Sequence, residues 1–203
     1  MTNHADEFQI LSDTLYHWSV YEPSLKCELS CTALKLGSGL VVIDPVPLAE
    51  AAWNDLVAKA PLRAILLTNG NHVRDADQFR KKYKVPIVTA PATRRDITEI
   101  KPDVVLLEKE LLYGIAAIPI PGATPGETAF HSDMGVMIIG DAIINTSSEK
   151  GLEFLPDKYC DNAKQNRESL RKLLNFEFHT LTFAHGAPVT AHAKEKLSAL
   201  LNG

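Results

Sequence analysis

The stretch LLTNGNHVRDADQF, Leu66–Phe79, decides the fold because it joins three kinds of local structure in one short run. An apolar run ends at Thr68, a polar loop carrying His72 follows, and a helix is predicted at about Arg74–Tyr83. A continuous apolar run bounded by polar residues is typical of a strand buried on both faces. A buried strand that opens into a polar loop and then a helix indicates a layered α/β protein. The loops at such a sheet edge commonly form the functional site.

Strand and helix signals occur in two batches along the chain, each batch of strands with helices attached. The predicted strands are 14–21, 29–36, 40–44, 64–68, 86–90, 104–107, 114–120, 127–132, 136–140 and 180–184. The predicted helices are 47–60, 74–83, 161–174 and 189–201. Many strands with few helices favour two sheets packed face to face, with helices covering both outer faces. We find no repeat or linker, so the prediction is a single domain over residues 1–203.

Composition and charge exclude several classes of protein. Hydrophobic residues make up 45% of the chain and charged residues 23%, which is ordinary for a globular protein with a sizeable core. The net charge of -4 argues against nucleic-acid or anionic-membrane binding by charge alone. No apolar run approaches the ~20 residues of a membrane span. The start lacks a signal peptide, and three cysteines make no disulfide framework, so a cytoplasmic protein is predicted.

Five polar loops, each after an apolar strand, resemble in order and spacing those of the metallo-β-lactamase superfamily. They are DP at 44–45, TNGNHVRD at 68–75, PGATPGE at 121–127, GD at 140–141 and AHG at 184–186. The resemblance covers nearly the whole chain and implies a four-layer αββα sandwich of two mixed β-sheets flanked by helices. It also implies hydrolase activity at a dinuclear metal site along one edge of the sandwich, with Asp44 and Thr68 in structural roles.

The positions of this family's metal ligands are mostly replaced. The replacements, counted from Thr68 and within PGATPG, are Asn69, Asn71, Val73, Arg74 and Ala123. Only Asp141 and His185 survive, and they are the candidate catalytic residues. Catalytic zinc sites use at least three imidazole, thiolate or carboxylate ligands, and an amide is a weak donor to zinc. The sequence therefore predicts that no dinuclear zinc cofactor is bound.

Three functional hypotheses remain at this point, and whether the chain is an enzyme stays open. In the first, the fold has lost its metal centre and is a non-catalytic or ligand-binding pseudoenzyme. Its polar network would consist of Asn69, Asn71, Arg74, Asp141 and His185, with Arg74 paired to Asp141 in place of a metal charge. A small-molecule ligand is the expected partner, and the sequence leaves both a monomer and a homo-oligomer open.

The second hypothesis keeps one divalent metal, Zn, Mn or Fe, bound by His72, Asp75, Asp141 and His185. The chain would then be a mononuclear hydrolase of esters, lactones, amides or thioesters. Against it, Asp75 suits the first turn of a helix, where its charge meets the helix dipole, and Asn71 suits an N-cap. In the third hypothesis the fold is only a scaffold for binding a partner, since function lives in sites and not in folds.

Overall fold

The computed structural model describes residues 3–203, so the first two residues of the predicted domain lie outside the described part. Seven strands form one mixed sheet in sequence order: β1 (Gln9–Ser12), β2 (Leu15–Glu22), β3 (Cys27–Leu36), β4 (Gly39–Ile43), β5 (Leu62–Leu67), β6 (Ile87–Thr89) and β7 (Val104–Val105). Pairing is antiparallel from β1 to β4 and parallel from β4 to β7. This sheet carries the long hairpin β2–β3 at one side.

The second sheet has the strand order β14-β11-β10-β9-β8. Its strands are β8 (Leu111–Leu112), β9 (Ile115–Pro119), β10 (Thr128–Ser132), β11 (Val136–Ile139) and β14 (Thr180–Phe183), and β12 (Ile143–Ile144) pairs with β13 (Glu153–Phe154) beside it. The helices are α1 (Glu50–Lys59), α2 (Ala76–Tyr83), α3 (Pro91–Asp96), α4 (Ala163–Arg171) and α5 (Ala193–Asn202). Within residues 3–203, no helix is both long and apolar enough to cross a membrane.

Three apolar clusters define the layers. A central cluster joins the two sheets, with Leu66 of β5 on one side and Phe130 of β10 on the other. A second cluster packs the first sheet against α1 and α2, through residues such as Trp53. A third packs the second sheet against α4 and α5, through Leu170 and Leu197. This arrangement confirms the predicted αββα sandwich. Burial on both faces explains why β4, and β5 from Ala64 onward, are continuous apolar runs.

The structure differs from the predicted elements at several points. Strand β1 was not predicted because it is an edge strand whose residues are mostly exposed, so its apolar pattern is weak. Helix α3 is short and begins with Pro91, and β12–β13 lies partly within a segment that is mostly polar. The last helix begins at Ala193 and not at 189, because Val189 pairs with β14 and His192 has a left-handed φ of 54°.

One buried histidine of the first sheet predicts a pH dependence of stability. His17 on β2 is 3% exposed, and its Nε2 has no hydrogen-bond partner in the described part of the chain. Burial disfavours the charged imidazole and lowers its pKa to about 4, from an ordinary value of 6.5. The unfolded chain therefore binds a proton that the folded chain excludes. Stability from this group is fully present above pH 6.5 and is lost as pH falls toward 4.

We expect this loss to reach about 3 kcal/mol between pH 6.5 and pH 4. The measurement is the free energy of unfolding in urea across that range, compared with the variant His17→Gln, whose side chain does not titrate. The variant should show a shallower decline of stability with acid by about that amount. Parallel curves for the two proteins would contradict the assignment to His17.

Candidate metal site

The polar loops converge at one edge of the sandwich. Strands β4 and β5 are parallel neighbours, as are β11 and β14, so the carboxyl ends of each pair lie together. Asp44 follows β4, Thr68 follows β5, Asp141 follows β11 and His185 follows β14. A short 3-10 turn, Gly70–His72, then carries the first-sheet loop toward the second sheet.

Two histidines and an aspartate form a compact cluster at this edge. The Nε2 atom of His72 lies 3.2 Å from Oδ1 of Asp141, and the Nε2 atom of His185 lies 3.1 Å from the same oxygen. His72, Asp141 and His185 each offer one potential metal-ligand atom, and these three atoms lie within 4.8 Å of one another. His72, which the family pattern does not include, thus joins the two retained residues.

The outer nitrogen of each imidazole is already committed. Nδ1 of His72 lies 3.0 Å from the carboxylate of Asp44, and Nδ1 of His185 lies 2.9 Å from the backbone carbonyl of Glu28. Each Nδ1–H donates to its oxygen, so each ring presents Nε2 to Asp141. Histidines that ligate metals are oriented in this way, with the outer N–H donating to a carboxylate or carbonyl.

Asp44 and Thr68 fix the orientation of the His72 ring. The Thr68 hydroxyl donates to Oδ2 of Asp44 at 2.6 Å, and the Thr68 backbone N–H donates to Oδ1 at 2.9 Å. Thr68 Oγ1 also lies 2.7 Å from Nδ1 of His72. Burial alone would raise the pKa of Asp44, but the neighbouring His72 and Arg74 cations lower it. Asp44 is therefore an ionised support for the His72 ring.

Arg74 does not form the ion pair with Asp141 that the sequence suggested, and this hypothesis is corrected. Its guanidinium donates to three backbone carbonyls: those of Ser30 at 2.9 Å, Asp44 at 3.2 Å and Ala184 at 3.3 Å. These carbonyls lie in β3 and just past β4 and β14, and the Ala184 carbonyl also accepts the Ser30 N–H at 2.8 Å. Arg74 therefore ties the two sheets together at the site edge, while Asp141 takes its partners from the histidines and Asn69.

The other residues named from the sequence lie around the cluster without joining it. Asp75 is not part of the cluster among the described residues, and its Oδ1 accepts a hydrogen bond from Gln78 at 2.8 Å. Asn71 is exposed, and Asn69 rather than Asn71 caps the turn, by accepting the Asn71 N–H at 3.0 Å. Ala123 is fully buried in the apolar cluster beneath the second sheet and offers no ligand atom.

Glu127 is a buried site residue that the sequence reasoning missed. Its Oε2 accepts hydrogen bonds from Asn69 Nδ2 at 2.7 Å and Thr124 Oγ1 at 3.1 Å, and its Oε1 accepts the Ala142 N–H at 3.2 Å. Burial and the nearby Asp141 charge raise its pKa to about 8. The available signal was a glutamate directly before the apolar part of a predicted strand, where a charged residue needs a specific partner.

Charge at the cluster is arranged around His72. Burial and Arg74 oppose its charged form, but the carboxylates of Asp141 and Asp44 outweigh them and raise its pKa to about 9. Burial likewise opposes the ionised form of Asp141, but His72 and His185 hold its pKa well below the usual range. The two carboxylates thus favour a positive charge between Nε2 and Oδ1, which either a proton or a metal ion supplies.

Solvent reaches the cluster from the side of His185. The side chain of His185 is 18% exposed, that of Asp141 10% and that of His72 3%. Cys27, at the start of β3, lies on this open side with Sγ 3.8 Å from His185 Nδ1, and burial raises the pKa of its thiol. A ligand would therefore approach over His185, beside the β2–β3 hairpin.

The donor set fits one metal ion and not two. Two imidazoles and one carboxylate are the three protein ligands of many catalytic zinc sites, and the same set suits Fe(II). A second ion would need Asn69, but Asn69 turns its N–H groups toward Asp141 and Glu127 and its oxygen toward the Asn71 N–H. An N–H group has no lone pair for a metal, so Asn69 offers a second ion no ligand atom.

Comparisons with known proteins agree with this architecture. The family model described as the metallo-beta-lactamase superfamily matches residues 9–202. The probable metallo-hydrolase YflN of Bacillus subtilis (strain 168) is 31% identical over 96 residues, which is 42% of this chain and 36% of that protein. The matched part thus spans about a third of that relative's length.

Solved structures share the fold at low sequence identity. A metallo-beta-lactamase from Pontibacter korlensis superposes with a TM-score of 0.76 at 14% identity, covering 97% of this chain and 99% of the other. The metallo-beta-lactamase FIM-1 from Pseudomonas aeruginosa, in its mono-zinc form, gives a TM-score of 0.73 at 12% identity, covering 100% and 97%. At these identities the likeness concerns the fold alone.

Proposed function

Because this chain belongs to the metallo-β-lactamase superfamily, we propose that it is a metal-dependent hydrolase built on a single ion held by His72, Asp141 and His185. One observation carries the proposal. Both imidazoles commit Nδ1 to a fixed oxygen and direct Nε2 to the same carboxylate oxygen, at 3.2 and 3.1 Å. This arrangement supports the mononuclear hypothesis reached from the sequence, without Asp75 as a ligand.

The protein's own residues divide the work of such a site. Asp44 and the Glu28 carbonyl hold the two rings in the ligating orientation, and Asp141 supplies the negative charge. A bound divalent ion would supply Lewis acidity toward water and a substrate carbonyl. Buried Thr68 and Asp44 keep water away from the inner face, so the substrate enters on the open side at His185. Suitable substrates are esters, lactones, amides or thioesters.

A hydrolysis screen tests this function. Protein loaded with Zn²⁺, Mn²⁺ or Fe²⁺ should hydrolyse at least one of the four substrate classes, and a chelator should abolish the activity. We expect His185→Ala to lower kcat/KM by more than about 100-fold, since loss of a supporting residue alone costs 10–100-fold. The matched control is His131→Ala. His131 lies on β10, and its ring contacts the Glu177 carbonyl. Equal rates for the two variants would contradict the proposal, as would loaded protein that hydrolyses none of the classes.

A second candidate is a metal-free, non-catalytic protein that binds a small molecule. The observation that favours it is the bridge of His72 between Asp44 and Asp141, which a proton alone can complete. A charged His72 would then balance the two buried carboxylates. The first sequence hypothesis gave this role, the replacement of the metal charge, to Arg74. The same screen separates the two candidates, because this protein would have no activity with any metal.

A further inference from the structure

We infer that Asn69 and Glu127 are a positioning pair that fixes the Asp141 carboxylate for its metal and limits the centre to one ion. This inference rests on the proposed function. Asn69 is fully buried, and Glu127 is 2% exposed. Among the described residues, neither side chain hydrogen-bonds to the imidazole of His72 or His185, so the pair acts through Asp141.

The Asn69 side chain uses all of its hydrogen-bonding groups. Its amide nitrogen donates to Asp141 Oδ2 at 2.9 Å and to Glu127 Oε2 at 2.7 Å, while its oxygen accepts the Asn71 N–H at 3.0 Å. An amide held at both ends cannot rotate without leaving a buried polar group unpaired, which is unfavourable. Oδ2 of Asp141 is therefore tied, and Oδ1 is left for the two imidazoles.

Glu127 anchors the amide to the strand end that carries Asp141. Its Oε1 accepts the N–H of Ala142, the residue after Asp141. Gly140, the residue before Asp141, leaves the necessary room. A Cβ atom there would lie 2.6 Å from Thr68 Oγ1 and 2.7 Å from Glu127 Oε1. Ala142 therefore binds the Glu127 carboxylate, and Gly140 leaves space for it. The position of Glu127 is thus fixed by the residues on both sides of Asp141.

The pair also explains why the centre takes one ion. The two N–H groups of the Asn69 amide point toward Asp141 and Glu127. A second ion at this position would need atoms with lone pairs, which N–H groups lack. The amide partly neutralises Oδ2 by hydrogen bonding, as a cation would by charge. Removing the amide frees Oδ2, so the carboxylate can turn away from the orientation that serves both rings.

The test is Zn²⁺ affinity by competition with a chelating dye, for the wild type, Asn69→Leu and the matched control Asn71→Leu. We expect the dissociation constant of Asn69→Leu to rise about 10–100-fold, the usual cost of losing a residue that orients a ligand. Asn71 is exposed, so its variant should bind as the wild type does. Visible spectra of the Co²⁺ forms should also differ for Asn69→Leu, which a purely structural role would not produce.

The possible outcomes separate this inference from the proposed function. Wild-type protein that binds no Zn²⁺ overturns both. Wild-type protein that binds Zn²⁺ with the same affinity and the same Co²⁺ spectrum as Asn69→Leu overturns the positioning role alone. If Asn69→Leu does not fold, as judged by circular dichroism, Asn69→Ala adds no bulk and is judged by the same criteria.

Discussion

Replacing Arg74 with methionine is expected to lower the free energy of unfolding by about 3–5 kcal/mol, because charge-assisted hydrogen bonds contribute about 1.5–3 kcal/mol each. The guanidinium donates to the carbonyls of Ser30, Asp44 and Ala184, which belong to both sheets. Methionine keeps the apolar stem but removes the guanidinium donor from all three carbonyls, of which that of Ala184 still accepts the Ser30 N–H at 2.8 Å. Urea unfolding followed by the fluorescence of Trp18 and Trp53, both buried, measures the loss.

Arg80→Met on α2 is the matched control for this prediction. Arg80 pairs with Asp77 and Asp103 and donates to the Lys101 carbonyl at 2.9 Å, all at positions that solvent reaches, so its loss should cost about 1 kcal/mol. Arg74→Lys should fall between the wild type and Arg74→Met, since lysine keeps the charge but not the planar fork. An Arg74→Met protein as stable as the wild type would show that the guanidinium does not tie the two sheets.

Replacing Asp141 with alanine is expected to weaken metal binding by more than about 100-fold and to abolish metal-dependent hydrolysis, because even a supporting residue contributes 10–100-fold. Oδ1 of Asp141 is the one oxygen that both Nε2 atoms face. Without it, two neutral imidazoles would remain, which is too few ligands for a catalytic zinc site. Equilibrium dialysis against Zn²⁺, followed by metal analysis, measures the change.

Asp75→Ala is the control that separates the structure from the sequence-based ligand set. Asp75 contacts Gln78 at the start of α2 and lies outside the cluster, so its variant should keep both metal and activity. If Asp75→Ala also loses the metal, Asp75 is a ligand, as the sequence-based set has it, and His72, Asp141 and His185 alone do not hold the ion. If Asp141→Ala keeps the metal, the cluster is not its site.

The fold was predictable because its central strands have both faces buried. The runs that lead to Asp44 and Thr68 are apolar. The two residues at their ends are hydrogen-bonded to each other, with Thr68 donating to the Asp44 carboxylate. Two other elements lack this signal: β1 is largely exposed, and α3, which begins at Pro91, is only six residues long. Pairing of Val189 with β14 also shortened the last helix in a way that helical periodicity does not reveal.

The site was predictable only in part, because loop conformation decides which neighbours face inward. Asp141 and His185 follow strand ends and were named from the sequence as candidate site residues. His72 faces them because the 3-10 turn at Gly70–His72 rotates its ring inward, whereas Asp75 falls beyond the turn. The partners of Arg74 are backbone carbonyls, and a pattern of side chains does not predict which carbonyls an arginine will contact.

The most direct test of the single-ion site is the metal content of protein purified without a histidine tag, measured by plasma mass spectrometry after dialysis with Zn²⁺, Mn²⁺ or Fe²⁺. A centre of two imidazoles and one carboxylate predicts about one ion per chain. The ion should be lost in Asp141→Ala and kept in Asp75→Ala. No bound ion, or two ions per chain, would contradict a mononuclear site at His72, Asp141 and His185.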